Sequence, residues 1–121
     1  MAMPLPLVVV VEDDLGSRTS LGRVLRLGGF EIALYASAEE FLKSRPAPIP
    51  FCLILDIRLG GQSGLDLQRL LKAEGSRVPF IVTTAFDDDR VRDEAEALGC
   101  LAYLRKPCEG QAILALLRSL R

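Results

Sequence analysis

The chain of 121 residues contains no histidine. Within it there can be no Ser-His-Asp triad, Cys-His pair, histidine-ligated zinc or histidine phosphocarrier. Chemistry must run on carboxylates, hydroxyls, lysine, arginine or thiols. Thiols are few: Cys52, Cys100 and Cys108 stand far apart, with no CxxC pair. An odd count at such spacing gives neither a disulfide framework nor a zinc site, and the three read as small core hydrophobes. No stretch approaches the roughly 18 uninterrupted apolar residues of a membrane span. Residues 1–11 are apolar but lack a basic start and a small-residue cleavage site, and Glu12 follows at once. No signal peptide is expected and the cytoplasm is the default location. Charge of one sign is also missing, with 15 basic against 16 acidic residues and a net charge of -1. That balance argues against nucleic-acid binding through bulk charge.

What is present is a globular composition, 50% hydrophobic and 26% charged, of a size suited to one domain. Apolar runs recur at Leu7 to Val11, Phe30 to Tyr35, Phe51 to Leu55, Phe80 to Val82 and Leu101 to Leu104. The first and third are apolar throughout, which suits strands covered on both faces. Helical spacing fills the gaps. Leu21, Val24, Leu25 and Gly28 fall at i, i+3, i+4, i+7, as do Ile113, Leu116, Leu117 and Leu120. Leu67, Leu70 and Leu71 share this spacing, and Val91, Ala95 and Leu98 fall at i, i+4, i+7. Ser37 with Glu40, and Ser63 with Asp66, predict capping boxes; Gly28, Gly75 and Gly99 stand where helices should end. Pro46, Pro48 and Pro50 predict a short stiff connection rather than a domain boundary. The pattern is a βα unit repeated five times. It predicts an α/β fold: a five-stranded parallel sheet with helices on both faces, joined by right-handed crossovers.

Polar residues gather where the strands end. Glu12-Asp13-Asp14 follow the first, Asp56 the third, Thr83-Thr84 the fourth and Arg105-Lys106-Pro107 the fifth. Only Tyr35-Ala36-Ser37 follow the second. Ligands of open α/β sheets bind at the carboxyl ends of the strands. The flavodoxin-like order 2-1-3-4-5 puts the uncommitted second strand at the margin. Singly, acidic residues at helix starts complement the helix dipole and need mean nothing more. Their recurrence at successive strand ends is the signal. Crowded carboxylates raise one another's pKa and suit a hard cation such as magnesium, which takes oxygen ligands. A hydroxyl and an ammonium add donors for an oxyanion. Together the set fits phosphoryl transfer onto an aspartate.

This arrangement resembles the receiver domain of two-component response regulators. The resemblance runs through Val8 to Asp14, Leu53 to Leu59 with Ser63 to Leu67, Val82 to Ala85 and Tyr103 to Pro107. It implies a single receiver over residues 1–121, with no output domain inside the chain. Asp56 would be the phosphoacceptor. Asp13 would ligate magnesium directly, Glu12 through water, with Asp56 and the Arg58 carbonyl as further ligands. The distance to Arg18 assigns the acidic pair to Glu12-Asp13 and leaves Asp14 to cap the first helix. Thr84 and Lys106 would contact the phosphoryl group. Pro107 would follow in a cis peptide, and Tyr103 would be the switch aromatic. A sensor histidine kinase would be the phosphodonor. The face of helix four, strand five and helix five, from Asp87 to Glu96, Leu101 to Tyr103 and Ala112 onward, would change shape to drive homodimerisation or an output domain. Neither membrane nor direct nucleic-acid contact is implied. The alternatives are a receiver-fold interaction module working without phosphorylation and a stand-alone phosphorelay regulator.

Phe41-Leu42 and Ser63 to Gln68 look like receivers that carry LuxR-type outputs, the nitrogen-fixation-regulator kind above all. Cys100-Leu101-Ala102-Tyr103 lacks the acidic doublet of the winged-helix branch. The chain departs from the pattern at Leu59-Gly60-Gly61-Gln62, where a proline is usual, and at Cys108, where an aromatic is frequent. Arg58 and Phe86 would flank the approach of water and slow loss of the phosphoryl group. A haloacid-dehalogenase-type phosphatase would want an aspartate where Arg58 stands. A flavin or dinucleotide binder would want a glycine loop after strand one.

Overall fold

The computed structural model describes residues 4–57, 63–86 and 88–121. Strands and helices alternate as β1 (Leu7–Val11), α1 (Leu15–Leu27), β2 (Glu31–Tyr35), α2 (Ala38–Lys43) and β3 (Cys52–Asp56). They continue as α3 (Gly64–Ala73), β4 (Phe80–Thr84), α4 (Asp89–Ala97), β5 (Ala102–Arg105) and α5 (Gly110–Ser119). The five strands form one parallel sheet in the order β2-β1-β3-β4-β5. The expected fold is the observed one.

Burial explains the apolar runs. Every residue of β1, β3 and β4 is buried, whereas β2 and β5 lie at the margins and are partly open. Successive residues of a strand point to opposite faces, and each face has its own core. Val9, Val11, Leu53 and Leu55 pack with α2, α3 and α4 through Phe41, Leu65, Leu67 and Ala95. Val8, Val10, Cys52 and Ile54 pack with α1 and α5 through Leu25, Ile113, Leu114 and Leu117. The α1–α5 pair is especially close. A Cβ on Gly28 would lie 2.4 Å from a Leu114 methyl, and one on Gly110 would lie 3.0 Å from Val24.

Helix starts follow the sequence signals with one change. Asp14 caps α1 by accepting from the Ser17 amide at 2.8 Å, and that bond holds its carboxyl below the ordinary range. Ser63 and Asp66 form the full reciprocal box on α3. At α2, Ser37 accepts from the Glu40 amide at 3.0 Å, but the Glu40 carboxylate accepts from Ala36 at 3.3 Å rather than from Ser37. Gly28 ends α1 as its C-cap, as expected, and Gly75 and Gly99 follow their helices with positive φ; after α1 the left-handed residue is Gly29. The cysteines are free, with Cys52 buried and the other two half-buried. Burial pushes the Cys52 thiol up to about 12, as expected of an inert core residue.

α4 is held differently from its neighbours. Ala95 is its one fully buried residue, with Val91 partly buried against the same core, and the rest of its attachments are on the surface. Arg69 of α3 bridges Asp66 on its own helix and Glu94 on α4. From α4 the Arg92 guanidinium lies over the Tyr103 ring of β5, 4.9 Å from its centre.

Candidate functional site

The site is built where β1, β3 and β5 end. Asp56 is the last residue of β3 and pairs in register with Thr83, so its position is fixed by the sheet. Glu12 follows β1 and remains tied to the sheet through its amide, which donates to the Tyr35 carbonyl at 3.0 Å. Asp13 comes next and is exposed, while Glu12 and Asp56 are only 5% and 4% exposed. One carboxylate oxygen from each of Glu12, Asp13 and Asp56 falls in a cluster no wider than 4.8 Å.

Lys106 enters from the end of β5. Its ammonium donates to Glu12 Oε2 at 2.7 Å and to Asp56 Oδ2 at 2.9 Å. The following Lys106-Pro107 peptide is cis, as the resemblance implied. Burial would lower the lysine's pKa, but the bonds to the two carboxylates outweigh it and hold the ammonium above its ordinary value. Glu12 shows the opposite balance. Burial, with the Asp56 carboxyl beside it, pushes Glu12 up to about 7 against the pull of Lys106. One ammonium therefore does not meet the negative charge gathered here. The donors are all carboxylate oxygens, the chemistry of a hard divalent cation that keeps part of its water. The residues fit such an ion.

Thr84 ends β4 and is buried. Its hydroxyl is engaged with its own loop, donating to the Phe86 carbonyl at 2.9 Å and accepting from the Phe86 amide at 3.1 Å. Tyr103 sits in the middle of β5, half-buried under Arg92. Arg58, expected as a backbone ligand, lies outside the described residues, as do the Leu59 to Gln62 loop and Asp87.

Two further residues shape the site. Arg18 reaches back from α1 and donates to the Glu12 carbonyl at 2.8 Å and the Asp13 carbonyl at 3.4 Å, which fixes the acidic turn. Gly64 lets α3 start directly against β3, since a Cβ there would stand 2.3 Å from the Asp56 carbonyl oxygen. From the sequence Arg18 is only a spacing mark for the acidic pair, and Gly64 only the glycine that follows the Ser63 cap; neither contact is foreseen there.

Comparison with known proteins agrees with this geometry. The model of the response regulator receiver domain matches residues 8–118. Nodulation protein W of Bradyrhizobium diazoefficiens is 38% identical over 108 residues, which cover 89% of this chain and 48% of that protein. The transcriptional regulatory protein FixJ of Azorhizobium caulinodans is 36% identical over 112 residues, covering 93% of this chain and 53% of that protein. The chain thus spans about half the length of the curated relatives it matches. Among solved structures, FixJ-N superposes with a TM-score of 0.84 at 30% identity, covering 98% of this chain and 94% of that one. The response regulator StyR does so with a TM-score of 0.84 at 37% identity, covering 96% of this chain and 59% of that one. No helix among the described residues is long and apolar enough to cross a membrane. A sheet that brings its carboxylates and its lysine to one edge, and relatives of the FixJ and nodulation protein W type, lead to one assignment: the chain belongs to the response regulator receiver domain family.

Proposed function

We propose that Asp56 accepts a phosphoryl group from the phosphohistidine of a partner sensor histidine kinase, and that the modified domain signals by changing its α4-β5-α5 face. The observation that carries this reading is the convergence of the Glu12, Asp13 and Asp56 oxygens within 4.8 Å, with Lys106 held on Asp56. A carboxylate oxygen of Asp56 attacks phosphorus, the phosphorus–nitrogen bond breaks, and the imidazole leaves with its bonding pair. The product is an acyl phosphate. Magnesium, held by Asp13 and Asp56 with Glu12 through water and the Arg58 carbonyl, would neutralise charge on the phosphoryl oxygens. Lys106 exchanges its bond to the free carboxylate for one to the phosphoryl group.

The switch follows from competition. The Thr84 hydroxyl donates its one proton to the Phe86 carbonyl. A phosphoryl oxygen is the stronger, charged acceptor, so the hydroxyl turns to it and the loop loses that bond. Contacts that exist only in the modified state shift a two-state equilibrium. Tyr103 then repacks; its hydroxyl is already withdrawn from solvent and its ring already touches the core, so the movement is a shift of the ring beneath the Arg92 guanidinium. The altered face would serve a homodimer or an output domain, the latter transcription-regulating by analogy with the relatives. The reading implies a cytoplasmic location beside the kinase.

The test is intact mass after incubation with magnesium and acetyl phosphate. One phosphoryl adduct is expected, absent from Asp56→Asn. An adduct that survives this substitution overturns the site. No adduct on the wild-type chain favours an interaction module that works without phosphorylation.

A further inference from the structure

Behind Lys106, on the α1–α5 side of the sheet, lies a cavity of about 650 Å³ that the phosphoryl chemistry does not use. We propose that it binds a small neutral molecule with an apolar body and a single hydroxyl group. The volume falls within the range of small-molecule sites. Its inner wall is apolar, with Val10, Leu21, Val24, Ile54 and Ile113. The space exists because the residues around its mouth are small: Ser17 and Ser20 on α1, Cys108 and Gly110 where α5 begins.

The polar requirement comes from Thr83. On β4, Ile81 belongs to the α1–α5 core, so Thr83, two residues on, faces the same side. It lines the cavity and is only 4% exposed. Its hydroxyl makes no hydrogen bond among the described residues. The hydroxyl is not among the sealed-off unpartnered atoms, so it opens onto the cavity, where a ligand hydroxyl can both donate to it and accept from it. Neutrality follows from the charges. Glu12 and Lys106 also border the cavity, but each is occupied with the other at 2.7 Å. An anion would have to break that pair or go unmatched against the apolar wall, and a cation would be drawn past this wall to the acidic cluster beside Lys106.

The site does not depend on phosphorylation of Asp56, so it can be tested apart from the proposed function. Phenol is the probe, with toluene as the partner that lacks the hydroxyl. Titration of the isotope-labelled chain, followed through backbone amide resonances, should move Thr83, Cys108 and Gly110 together. Thr83→Val keeps volume and removes the hydroxyl. It should weaken phenol by about tenfold, the loss of one hydrogen bond, while toluene binds as before or more tightly. Bound phenol should also slow alkylation of Cys108 by iodoacetamide while Cys100 reacts as before. Three results would overturn the proposal: no binding up to about 10 mM, shifts that map elsewhere, or a Thr83→Val chain that binds phenol like the wild type.

Discussion

The Lys106 ammonium lies 2.9 Å from the Asp56 carboxylate, joining the end of β5 to the end of β3. Two strands that do not neighbour each other in the sheet are tied at the one edge where chemistry is proposed. Lys106→Met keeps the alkyl stem and removes the charge. Phosphorylation by acetyl phosphate should slow by about a hundredfold, the usual effect of losing one preorganised donor to a developing charge. The adduct should still form on Asp56. A rate equal to wild type in a mass-resolved time course would remove Lys106 from the mechanism.

Glu12 makes stability depend on pH. Its value in the folded chain, about 7, lies above the ordinary 4.5, so the native state holds a proton that the unfolded chain has released. Stability from that proton is complete below about pH 4.5 and is lost as pH rises towards 7. Urea unfolding in a chelator should therefore show a decline on the order of 1–3 kcal/mol between about pH 5 and pH 8. Glu12→Gln stays neutral and should flatten it. Magnesium at about pH 8 should stabilise the wild type more than the variant, through binding to the native state alone. Parallel curves for the two proteins would refute the assignment.

Gly64 and Gly16 should answer alanine with opposite signs. Alanine is the better helix former by about 1 kcal/mol. At Gly16 the new Cβ meets only Asp14 Oδ2 at 3.5 Å, an ordinary contact, so a small gain is expected. At Gly64 it meets backbone, the Asp56 carbonyl oxygen at 2.3 Å, so α3 must shift. A loss of about 2 kcal/mol or more is expected, with slower phosphorylation because Asp56 moves too. Chemical denaturation of both variants decides it; equal effects would show that α3 yields freely.

Arg92→Ala removes the guanidinium over Tyr103. The stability cost should be small, about 0.5–1 kcal/mol for a half-exposed pair. The effect should be local: amide exchange rises in Asp89–Ala97 and stays unchanged in Gly110–Ser119. Uniform change across both helices would mean that the contact does not hold α4.

Phe86 is a large apolar side chain, 53% exposed, two residues past Thr84. If it screens the aspartyl phosphate from water, Phe86→Ala should shorten the lifetime of the phosphorylated form. Identical decay by mass would leave the screening role without support.

The sequence revealed the fold because the sheet is buried on both faces. Unbroken runs such as Val8 to Val11 and Leu53 to Leu55 are what two opposed cores demand of a central strand. Strand ends were less exact. β3 runs from Cys52 to Asp56 rather than from Phe51 to Leu55, β4 continues past Val82 to Thr84, and β5 runs from Ala102 to Arg105 rather than from Leu101 to Leu104, because ladder pairing and not side-chain polarity sets the ends. The acidic cluster and Lys106 were legible as polar residues at strand ends. Arg18 on two backbone carbonyls, Thr84 turned to Phe86 and Arg92 over Tyr103 were not. Each depends on where a flexible side chain finds a partner in space, which no spacing rule encodes.

The helices are unequally anchored. On one side of the sheet α1 and α5 meet through Gly28 against Leu114 and Gly110 against Val24, and α5 buries three side chains. On the other, α3 buries five residues, while α4 buries only Ala95, with Val91 partly buried beside it and surface contacts to α3 and β5. The element with least buried support is thus a single helix. If the domain signals as proposed, a perturbation at the strand ends meets least resistance there, and α4 is the part that yields first.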